Sequence, residues 1–178
     1  LGNCFTLLII ISLVLTAVLQ IWGRPLLLAF GASPKTIGAA MEYMGIYSLG
    51  TLAVQISLGM NAFISAQGFT KISMLSVVIG AVINIILDPI FIFALGMGVK
   101  GAAVATVIAQ TVSAVWIMVF LTGEKTFLCL RLSEMKPAAS VIMPCLALGI
   151  SPFIMQFTES VLGICFNTSL LKYGGDIA

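Results

Sequence analysis

Histidine is absent from this 178-residue chain, and charged residues make up only 8% of it. The first absence removes His-dependent triads, histidine general bases and nearly every common zinc site, which leaves Asp, Glu and backbone groups as the available chemistry. The scarcity of charge excludes an ordinary soluble domain. The hydrophobic class holds 61% of the residues, mean hydropathy is +1.21, and several apolar runs exceed the roughly 20 residues that cross a hydrocarbon core about 30 Å thick. The fold class is therefore an all-α polytopic membrane protein, with the lipid bilayer as its first partner. A net charge of +2 comes from eight basic residues scattered along the chain, so no basic patch for nucleic acid is formed. Cysteine is sparse too. Cys4, Cys129, Cys145 and Cys165 show no CxxC or other ligand spacing and lie in or beside apolar segments, so they read as unpaired small hydrophobes. No catalytic set, metal site or cofactor is expected. The first residue is Leu1 and the apolar run after it lacks a basic n-region, so no signal peptide is read and an internal fragment is expected.

Five membrane helices are predicted. The first covers 2–30, with an apolar core over 5–21, Trp22 and Arg24 at an interface and Gly31 at the helix end. Ser33 and Pro34 suit the cap and first position of a second helix over 34–66. Glu42 near its start reads as a solvated interfacial charge. Thr51, Gln55 and Gly59, then Asn61 and Ser65, either line a cavity or hydrogen-bond to neighbouring helices, two readings of equal weight. The third helix covers 70–95 and the fourth begins near Lys100, joined by the tight turn Gly96-Met97-Gly98. The polar stretch TGEKTFLCLRLSEMK at 122–136 suits a linker with an amphipathic piece on the membrane surface. The fifth helix covers 138–173, bent near Pro144 or Pro152 and closed by Lys172 and Gly174-Gly175.

Two acids stand out because they sit inside these helices. Asp88, Asn84, Gly80 and Ser76 recur every four residues and form one narrow polar and small stripe on the third helix. A charge at the bilayer centre costs about 2.5 to 3.5 kcal/mol on insertion scales, so such residues usually mark an ion or substrate path. Pro89 follows directly and has no N–H for the Ile85 carbonyl. On the fourth helix Gly101, Ala105, Ala109 and Ser113 make a small-residue face, with Ala102, Thr106 and Gln110 beside it. The two helices must then form a close antiparallel hairpin. Folding it about Met97 sets Asp88 level with Thr106, and Asn84 level with Gln110, about 13 Å below the turn for the first pair. On the fifth helix Ser151, Met155, Glu159, Gly163 and Asn167 repeat the design, with Gln156 one turn from Glu159. Orientation is not decided by charge: Lys71, Lys125, Arg131 and Lys136 fall on one side, Arg24, Lys35, Lys100 and Lys172 on the other.

The segments GMNAFISAQGFTK and GAVINIILDPIFIFALGMGVKGAAVATVIAQ, followed by ISPFIMQFTES and SLLKYGGDIA, make the chain resemble the multidrug and toxic compound extrusion (MATE) family of drug/cation antiporters. The resemblance implies a share of a twelve-helix, two-lobe fold, family helices three to seven. Residues 1–121 would close the amino-terminal lobe, 122–137 would be the cytoplasmic linker between lobes, and 138–178 would open the carboxy-terminal lobe. In one branch of the family an Asn-x3-Asp pair and a threonine form an acidic site, which Asn84, Asp88 and Thr106 match. In another branch a glutamate on the seventh helix holds a cation, which Glu159 matches. Both sites have partner aspartates on helices outside this chain. The resemblance implies a plasma-membrane secondary antiporter, not an enzyme, exporting organic cationic or amphipathic drug-like compounds against H⁺ or Na⁺. Gln55, Gln110, Gln156 and Asn167 would be supporting or cavity-lining groups, and the remaining helices of the full transporter its partners. The alternatives are a lipid-linked oligosaccharide flippase of the same superfamily and a non-transporting structural membrane subunit. An intramembrane enzyme is disfavoured, because two isolated acids without histidine supply no nucleophile and base.

Overall fold

A computed structural model describes residues 1–33, 35–123, 126 and 139–174, and all regular structure among them is helical. Helix α1 (Gly2–Ala29) is followed by α2 (Ile37–Leu49), α3 (Thr51–Gln55), α4 (Asn61–Ala66), α5 (Thr70–Pro89), α6 (Val99–Thr122) and α7 (Ala139–Gly174). Two π-helical stretches, Ile56–Met60 and Ile90–Ala94, continue α3 into α4 and extend α5. Four spans are long and apolar enough to cross a membrane, and the α2–α4 region supplies a fifth as a broken helix. The protein is thus a multi-pass membrane protein of the expected class.

Helix α1 carries polar residues through the stretch expected to be uniformly apolar. Ser12 is buried, Thr16 Oγ1 donates to the Ser48 carbonyl at 3.1 Å, and Gln20 Nε2 donates to Ser48 Oγ at 2.8 Å. The helix is also kinked. Trp22 leaves helical geometry (φ −107°, ψ 15°) three residues before Pro25, whose ring and missing N–H disrupt the preceding turn. The helix ends as its sequence suggests: Gly31 takes φ 92°, Ala32 N donates to Leu27 O at 3.0 Å and Gly31 N to Leu28 O at 3.2 Å. These are the paired bonds of a Schellman cap, and the left-handed residue in it favours glycine.

The second expected helix is not continuous. It breaks at Gly50, and the two halves meet at 62°. Gly50 is in an ordinary region of backbone space, so the glycine is needed for space: a Cβ there would stand 2.6 Å from Val107 Cγ2 on α6. Thr16 and Gln20 reach the same break, where they satisfy the carbonyls of Ser48 and Gly45. Ser33 is not the helix cap: its Oγ accepts from Thr36 N at 3.3 Å in the turn before the helix, and α2 starts at Ile37 with Thr36 in the cap position.

Helices α5 and α6 form the close hairpin that their small faces demand. Gly101, Ala105, Ala109 and Ser113 are all buried. A Cβ on Gly101 would lie 2.8 Å from the Phe91 backbone, and one on Gly80 would lie 2.5 Å from Ser113 Oγ. Side chains too large for these positions would separate the helices. Hydrogen bonds add to the packing: Ser113 Oγ donates to the Ser76 carbonyl at 2.8 Å, Ser76 Oγ to Asn61 Oδ1 at 3.0 Å, and Ser65 and Ser73 hydroxyls meet at 2.6 Å. Asn61 and Ser65 are therefore interhelical glue. Gly59 lies against α1, where a Cβ would come 2.7 Å from Leu8 Cδ1.

The apolar core sits at one end of this bundle. Phe5 of α1, Met60 and Ile64 of the broken span, and Ile117 and Leu121 of α6 pack there, with Phe69 and Phe120 edge to face at 5.3 Å beside them. It is the end at which α1 begins and α6 finishes. The amphipathic surface piece expected in 122–136 falls almost wholly outside the described residues. Helix α7 runs unbroken through Pro144 and Pro152, and its described side chains are largely exposed.

Candidate functional site

The Asp88 stripe faces α6. Asn84 Nδ2 donates both to Asp88 Oδ1 on its own helix and to Thr106 Oγ1 on α6, each at 3.4 Å. Thr106 Oγ1 in turn donates to the Ala102 carbonyl at 2.9 Å, which orients a hydroxyl lone pair towards the asparagine. Spacing of four residues puts Asn84 and Asp88 on one helical face, and the small residues of α6 bring Thr106 within reach. Asp88 and Asn84 are both half-buried, so the carboxylate keeps one open side.

The hairpin register differs from the expected one. Thr106 is bonded to Asn84, not to Asp88, and Gln110 is not bonded to Asn84. The contacts of Phe91 with Gly101 and of Gly80 with Ser113 centre the hairpin at about residue 96, and the Asn84–Thr106 bond centres it at about residue 95, before Met97. The α5 limb contains the π-helical stretch Ile90–Ala94, in which Leu95 N bonds to Ile90 O at 2.9 Å. A π-turn takes up one more residue than an α-turn, so the α5 limb is displaced relative to a uniform count. The backbone stays helical at Pro89 (φ −63°, ψ −31°), and the irregularity falls in the turn after it.

Beside this cluster lies a cavity of about 210 Å³ whose walls include Ser57, Gly80, Asn84, Thr106, Gln110 and Ser113. Gln110 Oε1 is buried there with no hydrogen-bond partner. A buried orphan acceptor is costly unless water or a cation meets it. Sequence reasoning placed Gln110 in the site but missed Ser57 and the Gly50 break. A serine two residues from Gln55 is off the four-residue stripe, and the π-helical stretch that turns it inward changes the spacing. Gln55 itself is half-buried on α3 and does not line this cavity. A second cavity, of about 370 Å³ and walled mainly by apolar side chains such as Leu52, Ile56, Val115 and Met118, carries no titratable group.

Glu159, Gln156 and Asn167 are exposed on α7, and neither Asp88 nor any α7 residue lines the cavity walled by Asn84, Thr106 and Gln110. Asn167 lies against the end of α1, its Cβ 3.3 Å from where a Gly31 Cβ would be. The structure thus brings together Asn84, Asp88 and Thr106, sets Gln110 in the cavity wall with Asn84 and Thr106, and leaves Glu159 on a separate helix. Among the described residues no three His, Cys, Asp or Glu side chains gather as a metal site.

Comparison with known proteins gives the cluster its context. Residues 1–90 match the MatE family. The chain is 31% identical to the multidrug export protein MepA of Staphylococcus haemolyticus (strain JCSC1435) over 80% of its own length and 32% of that protein's. To MepA of Staphylococcus saprophyticus it is 28% identical over 81% of its length. Among solved structures it is similar to the MATE multidrug transporter DinF-BH, with a TM-score of 0.92 at 32% identity, covering 99% of this chain and 40% of that one. An inward-facing MATE family transporter of the MOP superfamily superimposes with a TM-score of 0.89 at 27% identity over 96% of this chain. The chain spans about a third of the length of the curated relatives it matches. The family match covers just over half of the chain, and the chain belongs to the MatE family of multidrug and toxic compound extrusion transporters.

Proposed function

We propose that this chain is the family helix three to seven portion of a plasma-membrane secondary antiporter, which exports organic cationic and amphipathic drug-like compounds in exchange for H⁺ or Na⁺. Residues 1–121 are assigned to the amino-terminal lobe, 122–137 to a cytoplasmic linker and 138–178 to the carboxy-terminal lobe. The observation that carries the reading is the Asn84–Asp88–Thr106 cluster inside an apolar span, next to a cavity that Asn84, Thr106 and Gln110 help to wall. The relatives named for multidrug export support the substrate class.

In this reading Asp88 binds the coupling ion. As a carboxylate it accepts from Asn84, which lines the cavity; a proton or a sodium ion neutralises it. Both 3.4 Å bonds of Asn84 lie beyond the usual range for N–H donors, so the amide can follow the carboxylate as its charge changes. Gln110 and Ser57 offer further oxygens for water or a cation in the cavity. Neutralisation removes the penalty of holding a charge in the membrane, which favours closer packing of α5 on α6. An ion can shift such an equilibrium only by its differential affinity for the two states. Glu159 is assigned to a second coupling site that helices outside this chain complete. The cavity walls hold no lysine or arginine, which weighs against a flippase for diphosphate-linked sugars.

The test is export of a cationic dye by the full-length protein in proteoliposomes, with proton and sodium gradients imposed separately. Export driven by either gradient supports the reading. Dye movement indifferent to both overturns it.

A further inference from the structure

One contact joins parts of the chain that share little else. Helix α7 meets α1 more than any other helix among the described residues. At one end Asn167 lies against Gly31; at the other, Cys4 Sγ and Cys145 Sγ are 3.9 Å apart, across 141 residues of sequence. Both are free thiols. Cys4 directly precedes Phe5, a member of the buried core at the end of the bundle where α6 finishes. Cys145 is exposed, six residues into α7, about 9 Å along the helix axis from its start. Of the α1–α7 contacts, this pair is therefore rooted in the most tightly packed part of the molecule on one side and stands on a helix with few other contacts on the other.

We propose that Cys4 and Cys145 form a redox latch. As free thiols they let α7 part from the end of the bundle; as a disulfide they tie it to the core through Phe5 and hold that end of the α1–α7 seam shut. The chemistry is thiol–disulfide exchange with a low-molecular-weight disulfide. The thiolate of the exposed Cys145 attacks one sulfur of the oxidant and releases one thiolate, and the Cys4 thiolate then displaces the second from the mixed disulfide. The two protein thiols lose two protons and two electrons, and the oxidant becomes two thiols. Starting from 3.9 Å, a bond of about 2 Å is reached by side-chain rotation and a small approach of the two helices. That the bond would arrest export rests on the antiporter reading, since rocking of one lobe on the other moves α7 relative to α1.

The experiment uses the full-length protein with Cys129→Ala and Cys165→Ala, treated with oxidised glutathione and then with a reductant. Peptide mapping by mass spectrometry reads the bridge, and dye export is measured on the same samples. We expect a Cys4–Cys145 bridge, a fall in export of about tenfold, recovery on reduction, and neither effect in Cys4→Ser or Cys145→Ser. Glutathione retained on Cys145 without a bridge overturns the latch, as does a bridge that leaves export within about twofold of the reduced protein. If the reduced protein exports nothing, the antiporter reading fails, and the mapping still decides whether the two thiols are built to bridge.

Discussion

Asp88 and Glu159 are alike in sequence and unlike in structure. Each lies on a stripe of mostly polar and small residues at four-residue spacing inside an apolar helix. Asp88 has neighbours within the chain: Asn84 one turn away, which bonds Thr106 across the hairpin and lines a cavity with it and Gln110. Glu159 is exposed on a helix whose described side chains are mostly uncovered. A stripe states which face of a helix must avoid lipid, but what meets that face depends on the partner helix. Helix α5 finds its partner just beyond the next turn of the chain, and α7 must find most of its own outside the described residues.

The largest expected effect follows from the better-built site. Asp88→Asn keeps the size of the side chain and its ability to bond Asn84, but it cannot take up or release a charge. In the full-length protein this variant should insert normally and lose gradient-driven export by at least about tenfold, about 1.4 kcal/mol or more. Export at the parent rate with unchanged ion dependence would reduce the cluster to helix glue. Gly80→Val probes the packing that brings Thr106 to Asn84. Its Cβ would collide with Ser113 Oγ and disturb the bond to Ser76, a strain of about 1 to 3 kcal/mol in a packed interface. A lowered melting temperature is expected, with loss of export in step; a variant as stable as the parent would mean the hairpin is looser than its contacts indicate.

Glu159→Gln should have a smaller effect, weakening export about fivefold, about 1 kcal/mol, at near-normal expression. Here the comparison sharpens. If Glu159→Gln proves as damaging as Asp88→Asn, the helices missing from this chain build a second site equal to the first. Unchanged resistance to several cationic drugs would leave Glu159 a packing residue.

Much of this was legible in the residues. The helices, the small faces of α5 and α6 and the Asp88 stripe follow from composition and from spacing of three to four residues, which a regular helix preserves. What was not legible lies where the helix is irregular. Gly50 reads like any glycine in a membrane helix, and only Val107 from a distant helix shows that it marks a 62° break. The polar residues Ser12, Thr16 and Gln20 were hidden within an apolar run, yet Thr16 and Gln20 serve that break. Thr106 bonds Asn84 and not Asp88, and counting from the turn assumes one rise per residue throughout, which the π-helical stretch after Pro89 breaks. Which residues of the hairpin gather was legible from spacing, and how they pair was not.

The smallest effect is expected at the ion pair between Lys100 Nζ and Glu42 Oε1, 3.3 Å apart with side chains 51% and 52% exposed. It links the first half of the broken span to the start of α6, and such exposed pairs contribute only about 0.2 to 1 kcal/mol. The two partners should nevertheless not be equivalent. Lys100 is in the first turn of α6, where a cation opposes the helix dipole, whereas a nearby carboxylate favours it. Lys100→Gln therefore loses the pair but relieves the dipole, and should leave thermal stability almost unchanged. Glu42→Gln loses the pair and leaves the lysine opposed at the helix start, so it should be the more destabilising, though by less than about 1 kcal/mol. Both variants should export at the parent rate, since the pair is apart from the Asn84–Asp88–Thr106 cluster and lines no part of the cavity beside it. Thermal unfolding of the two single variants in low salt would show the asymmetry, and high salt should shrink it. Equal losses in both would mean that the dipole of α6 has no share in the interaction and that Glu42 and Lys100 meet only as surface charges.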